Sequence, residues 1–210
     1  VKKFHETGDD VSKKYTYCGE DGSQILGWAT IEGKRVYFKE DGYQVRNDRH
    51  KIGEFDYFFK KDGSMLSNDI DGNYKYYYAD KDGHLQFGWV THNNETYYIS
   101  PPWGAENRTY LQNINEKTYL LGPKGRLLRN TATDIYWVDF CVSDENGVAK
   151  TGVIRLKENR LYYFNPTIYI TTPFSGEWAE FDGKLYHFEN PISVSRYSKG
   201  SPISTNTTLK

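Results

Sequence analysis

Long apolar runs are missing from this sequence. No stretch approaches about 18 consecutive apolar residues, which excludes a membrane-spanning helix. Methionine occurs once and cysteine twice in 210 residues, and mean hydropathy is −0.79. An excess of one charge is missing too. The 27 Lys and Arg face 28 Asp and Glu without long runs, for a net charge of −1. Nucleic-acid binding leans on Lys and Arg neutralising phosphates, and this balance gives it no support. The opening Val1-Lys2-Lys3-Phe4-His5 carries no apolar segment after its charges, so no signal peptide is expected there. Cys18 and Cys141 lie far apart, outside any C-x-x-C pair. They read as two free thiols, because two cysteines alone do not specify a bridge.

What is present is aromatic and turn-forming. Aromatic residues make up 17 %, with 19 Tyr and 19 Gly. Helices lean on Ala, Leu, Met, Glu and Lys, and aliphatic content here is low. Tyr, Phe, Val and Thr favour strands, while Gly, Asp and Asn favour turns, so the composition is that of a β protein.

The chain repeats itself. The pairs Asp21-Gly22, Asp41-Gly42, Asp62-Gly63 and Asp82-Gly83 place their glycines 20, 21 and 20 residues apart. The aromatic pairs Tyr37-Phe38, Phe58-Phe59, Tyr77-Tyr78 and Tyr97-Tyr98 recur at a similar interval. The pattern blurs but persists through Tyr119-Leu120, Tyr136-Trp137, Tyr163-Phe164 and His187-Phe188. Each unit reads as a β-hairpin: Trp28–Ile31 as one strand, Glu32-Gly33 as the turn, Lys34–Lys39 as the return. Asp71-Gly72, Asn93-Asn94, Asn115-Glu116, Glu158-Asn159 and Asp182-Gly183 are expected at the same turn. These residues tolerate the positive φ that two-residue hairpin turns require. One hairpin cannot bury its aromatic face alone, but stacked hairpins share a core. The expected fold is all-β, an elongated β-solenoid of about eight stacked hairpins of about 20 residues. Residues 1–14 are expected as a lead-in, 15–189 as the repeat array, and 190–210 as a cap or flexible tail.

The segment from Gly27-Trp28 through Arg35-Val36-Tyr37-Phe38 to Asp41-Gly42 resembles one cell-wall-binding repeat. That family includes choline-binding modules, glucan-binding regions of glucansucrases and receptor-binding repeats of large clostridial toxins. Gly88-Trp89 through Tyr97-Tyr98 resembles it again, and Gly152-Val153 through Tyr162-Tyr163-Phe164 a third time with Val for Trp. The resemblance covers residues 15 to about 190 and implies a non-catalytic targeting module on a bacterial cell surface or a secreted protein. Choline-binding repeats carry a further Trp two residues before the Tyr-Tyr core, closing a cage that holds a quaternary ammonium by cation–π attraction. The corresponding residues here are Arg35, Asp56, Lys75, Glu95, Lys117, Asp134, Leu161 and Leu185, none of them aromatic. A polysaccharide or other surface glycan therefore fits better than choline. Its apolar ring faces would stack on exposed aromatics. The candidate contacts are Trp28, Tyr37, Tyr43, Trp89, Tyr98 and Trp103, although strand alternation sends half of each run into the core.

Other chemistry finds little support. Ser67-Asn68-Asp69-Ile70-Asp71-Gly72 follows the opening of a calcium loop, but Tyr78 stands where a bidentate Glu belongs. The five histidines are isolated, so no metal site is expected. No nucleophile elbow or phosphate loop occurs, and Cys141 lies in an apolar strand-like run. Neither catalysis nor a cofactor is expected. The partner is expected to be a glycan, bound multivalently by several weak sites. The alternatives are a structural or adhesive spacer that binds a protein partner, a choline-binding module of teichoic acid, and a toxin-like fragment directed at a host glycan.

Overall fold

The structure, a computed structural model, describes residues 3–8, 13–135, 139–155, 161–164, 177–181 and 183–188. Two compact units divide the chain, Val1–Asn107 and Arg108–Lys210. The first holds β1 (Lys3–Thr7) paired with β2 (Lys14–Cys18), β3 (Gly27–Ile31) with β4 (Lys34–Phe38), and β5 (Asp48–Ile52) with β6 (Phe55–Phe59). It continues with β7 (Asp69–Gly72), β8 (Tyr76–Ala79) and β9 (Leu85–Gln86) in one sheet, then β10 (Gly88–His92) with β11 (Glu95–Ile99). The second holds β12 (Tyr110–Ile114) with β13 (Lys117–Leu121), and β14 (Ala132–Ile135) with β15 (Asp139–Val142). β16 (Gly152–Arg155) pairs with β17 (Leu161–Phe164), and β18 (Glu177–Phe181) with β19 (Lys184–Phe188). All these pairs are antiparallel, and among the described residues the only helical element is a 3-10 turn at Pro123–Gly125. The fold is all-β and built of hairpins in series, as the repeat pattern requires.

The hairpin turns follow their residues. Glu32 and Gly33 hold φ of 51° and 76°, Asn93 and Asn94 49° and 62°, and Asn115 and Glu116 48° and 66°. Those are the positive values that suit the twist of the flanking strands. Asp71-Gly72 differs from expectation. Both residues stay in β7, and the chain turns at Asn73-Tyr74-Lys75. A Cβ on Gly72 would collide with the Lys75 carbonyl, so glycine here serves close approach rather than a turn. Within the expected lead-in, Lys3–Thr7 form β1. Tyr136, Trp137, Glu158, Asn159 and the tail from 190 onward lie outside the described residues.

After β2, β4, β6, β8, β13 and β15 the chain makes the same short loop. In the third connector, Lys60 N–H donates to the Ser64 carbonyl and Gly63 N–H to the Lys60 carbonyl. The Asp62 carboxylate accepts the Ser64 N–H at 3.0 Å, which explains Asp before Gly: the side chain closes an Asx turn. Asp21 with Ser23 and Asp41 with Tyr43 repeat the arrangement. The connector then bonds both neighbours. Leu66 N–H donates to Phe58 of its own hairpin, and Met65 N–H to Arg35 of the preceding one.

Each hairpin is sandwiched by strand alternation. Val36 and Phe38 of β4 pack with Ile31 towards Tyr17, while Trp28 and Tyr37 on the opposite face pack towards Val45, Tyr57 and Phe59. Phe58, pointing the other way from Tyr57 and Phe59, joins Leu66, Ala79 and Leu85. In the second unit, Leu120, Ile135, Cys141 and Ala149 form the corresponding core. In four of the loops the glycine lies over a side chain from an earlier connector. A Cβ on Gly42 would collide with Gln24, one on Gly63 with Gln44, and one on Gly147 with Leu127, while one on Gly83 would lie 2.6 Å from Met65.

Candidate functional site

The six aromatics singled out from sequence fall in separate places. Trp28 and Tyr37 are register partners on one face of β3–β4. Trp28 is half-buried, its ring edge-on to Tyr37 at 5.3 Å and to Tyr57 at 5.0 Å. The Arg35 guanidinium covers the indole with its carbon 4.2 Å from the ring centre. Trp89 and Tyr98 are register partners on β10–β11, with ring centres 5.0 Å apart, and Trp89 is 40 % exposed. Tyr43 lies half-buried on the second connector beneath the Lys14 ammonium, 4.7 Å from its ring centre. Trp103 is 71 % exposed in the loop after β11. That loop is anchored where Arg49 donates to the Pro102 carbonyl and the Ala105 and Tyr76 backbones exchange hydrogen bonds.

A pocket of about 220 Å³ lies on the opposite face of β3–β4 from Trp28. Phe4, Ile31, Glu32, Lys34, Val36, Gln44, Arg46 and Asp62 line it. Gln44 is 7 % exposed, and its side-chain nitrogen has no acceptor among the described residues. Its oxygen accepts from Arg46 Nε. Arg46 is stacked on Tyr15 at 3.6 Å, and its partial burial lowers its pKa from the ordinary value. Lys34 Nζ is 2.8 Å from Asp62. That ammonium, then the Ser64 hydroxyl and amide, hold the Asp62 carboxyl well below the usual carboxylate range.

The pocket therefore offers two cations, two anions and a buried amide donor over an apolar floor. An unsatisfied buried donor is costly, and native folds retain few of them. Sequence reading from aromatics missed Gln44, Arg46 and Lys34. One signal was available. The residue two places after the loop glycine is Gln24, Gln44, Met65, Leu85, Glu106, Leu127 and Ala149 in successive connectors. Gln44 is thus a buried polar residue in a slot that Met65, Leu85, Leu127 and Ala149 fill with apolar side chains.

No group of three or more His, Cys, Asp or Glu placed to hold a metal occurs among the described residues. Cys18 and Cys141 are free thiols. Cys141 is fully buried, and desolvation pushes its thiol up to about 12, leaving it unreactive at neutral pH. No helix among the described residues is long and apolar enough to cross a membrane.

Comparison with known proteins adds to this geometry. Residues 25–69 match the family model of a choline-binding repeat, and residues 88–104 that of a putative cell wall binding repeat. Glucosyltransferase-S of Streptococcus mutans is 29 % identical over 198 residues, which is 90 % of this chain and 13 % of that protein. Glucosyltransferase-I of Streptococcus downei is 33 % identical over 81 residues, 37 % of this chain and 5 % of the relative. The chain thus spans about an eighth or less of the length of these relatives. Among solved structures, choline binding protein F of Streptococcus pneumoniae matches with a TM-score of 0.49 and 19 % identity, over 90 % of this chain and 68 % of that one. By the family-model matches, residues 25–69 and 88–104 are similar to choline-binding and cell wall binding repeats.

Proposed function

We propose that the chain is a non-catalytic module that attaches its parent protein to a neutral polysaccharide of a cell wall or cell surface. The observation that carries this reading is the buried Gln44 amide in the pocket beside Lys34, Arg46, Glu32 and Asp62. Sugar hydroxyls both donate and accept, so a recognition site needs donors and acceptors side by side, and this lining has both. Its two cations and two anions balance, which favours an uncharged ring over a phosphate or a uronate. The volume of about 220 Å³ is below the range of clefts for drug-sized ligands and suits a single pyranose ring. Trp89 and Trp103 supply exposed ring faces for further sugar units, so several weak sites act through effective concentration. The family-model matches and the glucosyltransferase names of the relatives support the same reading, and with it a location at the cell surface.

The test is binding of the purified chain to α-glucans, teichoic-acid fragments, host oligosaccharides and choline. Saturable binding to a neutral glycan is expected. In Gln44→Met the affinity should fall at least about tenfold with the fold intact, as lost hydrogen-bonded recognition does. Trp89→Ala or Trp103→Ala should weaken polymer binding more than binding of a single sugar. Absence of binding across the panel, or unchanged binding in Gln44→Met, overturns the reading.

A further inference from the structure

The aromatic face of Trp28 already holds a cation. The Arg35 guanidinium lies 4.2 Å over the indole, while Tyr37 and Tyr57 meet the same ring edge-on and Phe59 lies 5.8 Å away at a tilt. Among the described residues, no carboxylate lies within 4.0 Å of Arg35; Asp82 feels its charge from farther away, and the indole is its direct contact. Its carbonyl accepts from Met65 N–H, which pins the backbone beneath the side chain. Lys34, the residue before it, points to the other face and pairs with Asp62 there. An indole flanked by tyrosines is the arrangement that attracts a quaternary ammonium. In this chain the attraction is spent on a tethered side chain, which competes at the high effective concentration of an intramolecular ligand.

We infer that Arg35 is a built-in occupant of the cation-attracting face of Trp28, and that it closes this face to free quaternary ammonium ligands such as choline. Arg35 is a specificity-determining residue, then, rather than a passive gap where an aromatic wall is missing. The inference is independent of the glycan reading, because the Gln44 pocket lies on the opposite face of β3–β4.

The test titrates the full chain with choline and with its neutral isostere 3,3-dimethylbutanol, following the Trp28 indole N–H resonance, assigned through Trp28→Phe. In the unsubstituted protein the resonance should stay still. In Arg35→Ala and Arg35→Gln it should move and saturate with choline, a gain of at least about tenfold, and respond less to the isostere. Arg35→Lys should remain closed. Equal response of Arg35→Gln and the unsubstituted protein, or an Arg35→Lys that opens, overturns the inference. A measurement that needs no folded variant accompanies these. The Arg35 side-chain protons should be shifted upfield by the indole ring current, and ordinary shifts there would overturn the inference as well.

Discussion

Gln44 and Gly63 illustrate how a close approach and a buried amide can share one contact. Gly63 holds φ of +86°, and its missing side chain leaves room for the Gln44 amide. Gly33 also holds a positive φ, +76°, but nothing lies within 4 Å of where its Cβ would be. Gly33→Ala should therefore cost backbone strain alone, about 1 kcal/mol. Gly63→Ala should cost about 2–3 kcal/mol, because the collision adds to the strain. Urea unfolding midpoints of the two variants separate the contributions, and equal losses would sink the close-approach account. Gln44→Met should behave in the reverse manner. It puts the residue of the next repeat, Met65, into the equivalent slot and removes a buried donor without an acceptor. Its stability should stay within about 1 kcal/mol of the parent or rise, since removing an unsatisfied polar group offsets the lost bond to Arg46. A large drop would mean that the amide is satisfied by water or by the backbone.

At the scale of the element, the hairpins were legible and their partners were not. Glu32-Gly33 and Asn93-Asn94 announce a two-residue turn because few residues adopt consecutive positive φ. The Asp of each Asp-Gly pair is also locally decided, through its bond to the amide two residues on. Asp71-Gly72 misled because it carries the same letters while Gly72 answers to a contact with Lys75, across the turn. β1 was missed because Lys3–Thr7 has neither Gly-Trp nor Asp-Gly to mark it, and its residues are all exposed. The candidate site suffered more. Whether Trp28 shows its ring to solvent depends on the rotamer of Arg35, and the Gln44 pocket gathers residues from Phe4 to Asp62. The Lys34–Asp62 pair links the second hairpin to the third connector, and its pH dependence has a fixed sign. The folded Asp62 titrates below its unfolded value of about 3.9, so its stabilisation is complete above that pH. It is lost as pH falls from about 4 towards the folded pKa. Asp62→Asn should flatten that part of the acid-unfolding curve, only slightly because both side chains are half exposed. A steeper acid transition in the variant would contradict the assignment.

For the molecule as a whole, stacked hairpins make stability a sum of neighbouring contacts. Each unit has its own core, with the Gln44 pocket wholly within Val1–Asn107. A fragment of residues 1–107 should unfold cooperatively and bind a single sugar within about twofold of the full chain. Calorimetric titration of both would show it, and a much weaker fragment would place part of the site in the second unit. Polymer binding should weaken further, as effective concentration falls with fewer sites.

The glycine roof over the connector slot also carries a meaning for how such a chain can change. The slot residue holds its place through its backbone. Gln44 N–H donates to Tyr15 as Met65 N–H donates to Arg35, whatever side chain follows. Replacing one side chain there leaves the ladder of hairpins intact while adding or deleting a polar cavity. The scaffold and the polarity of its slots are thus separately editable, one letter at a time.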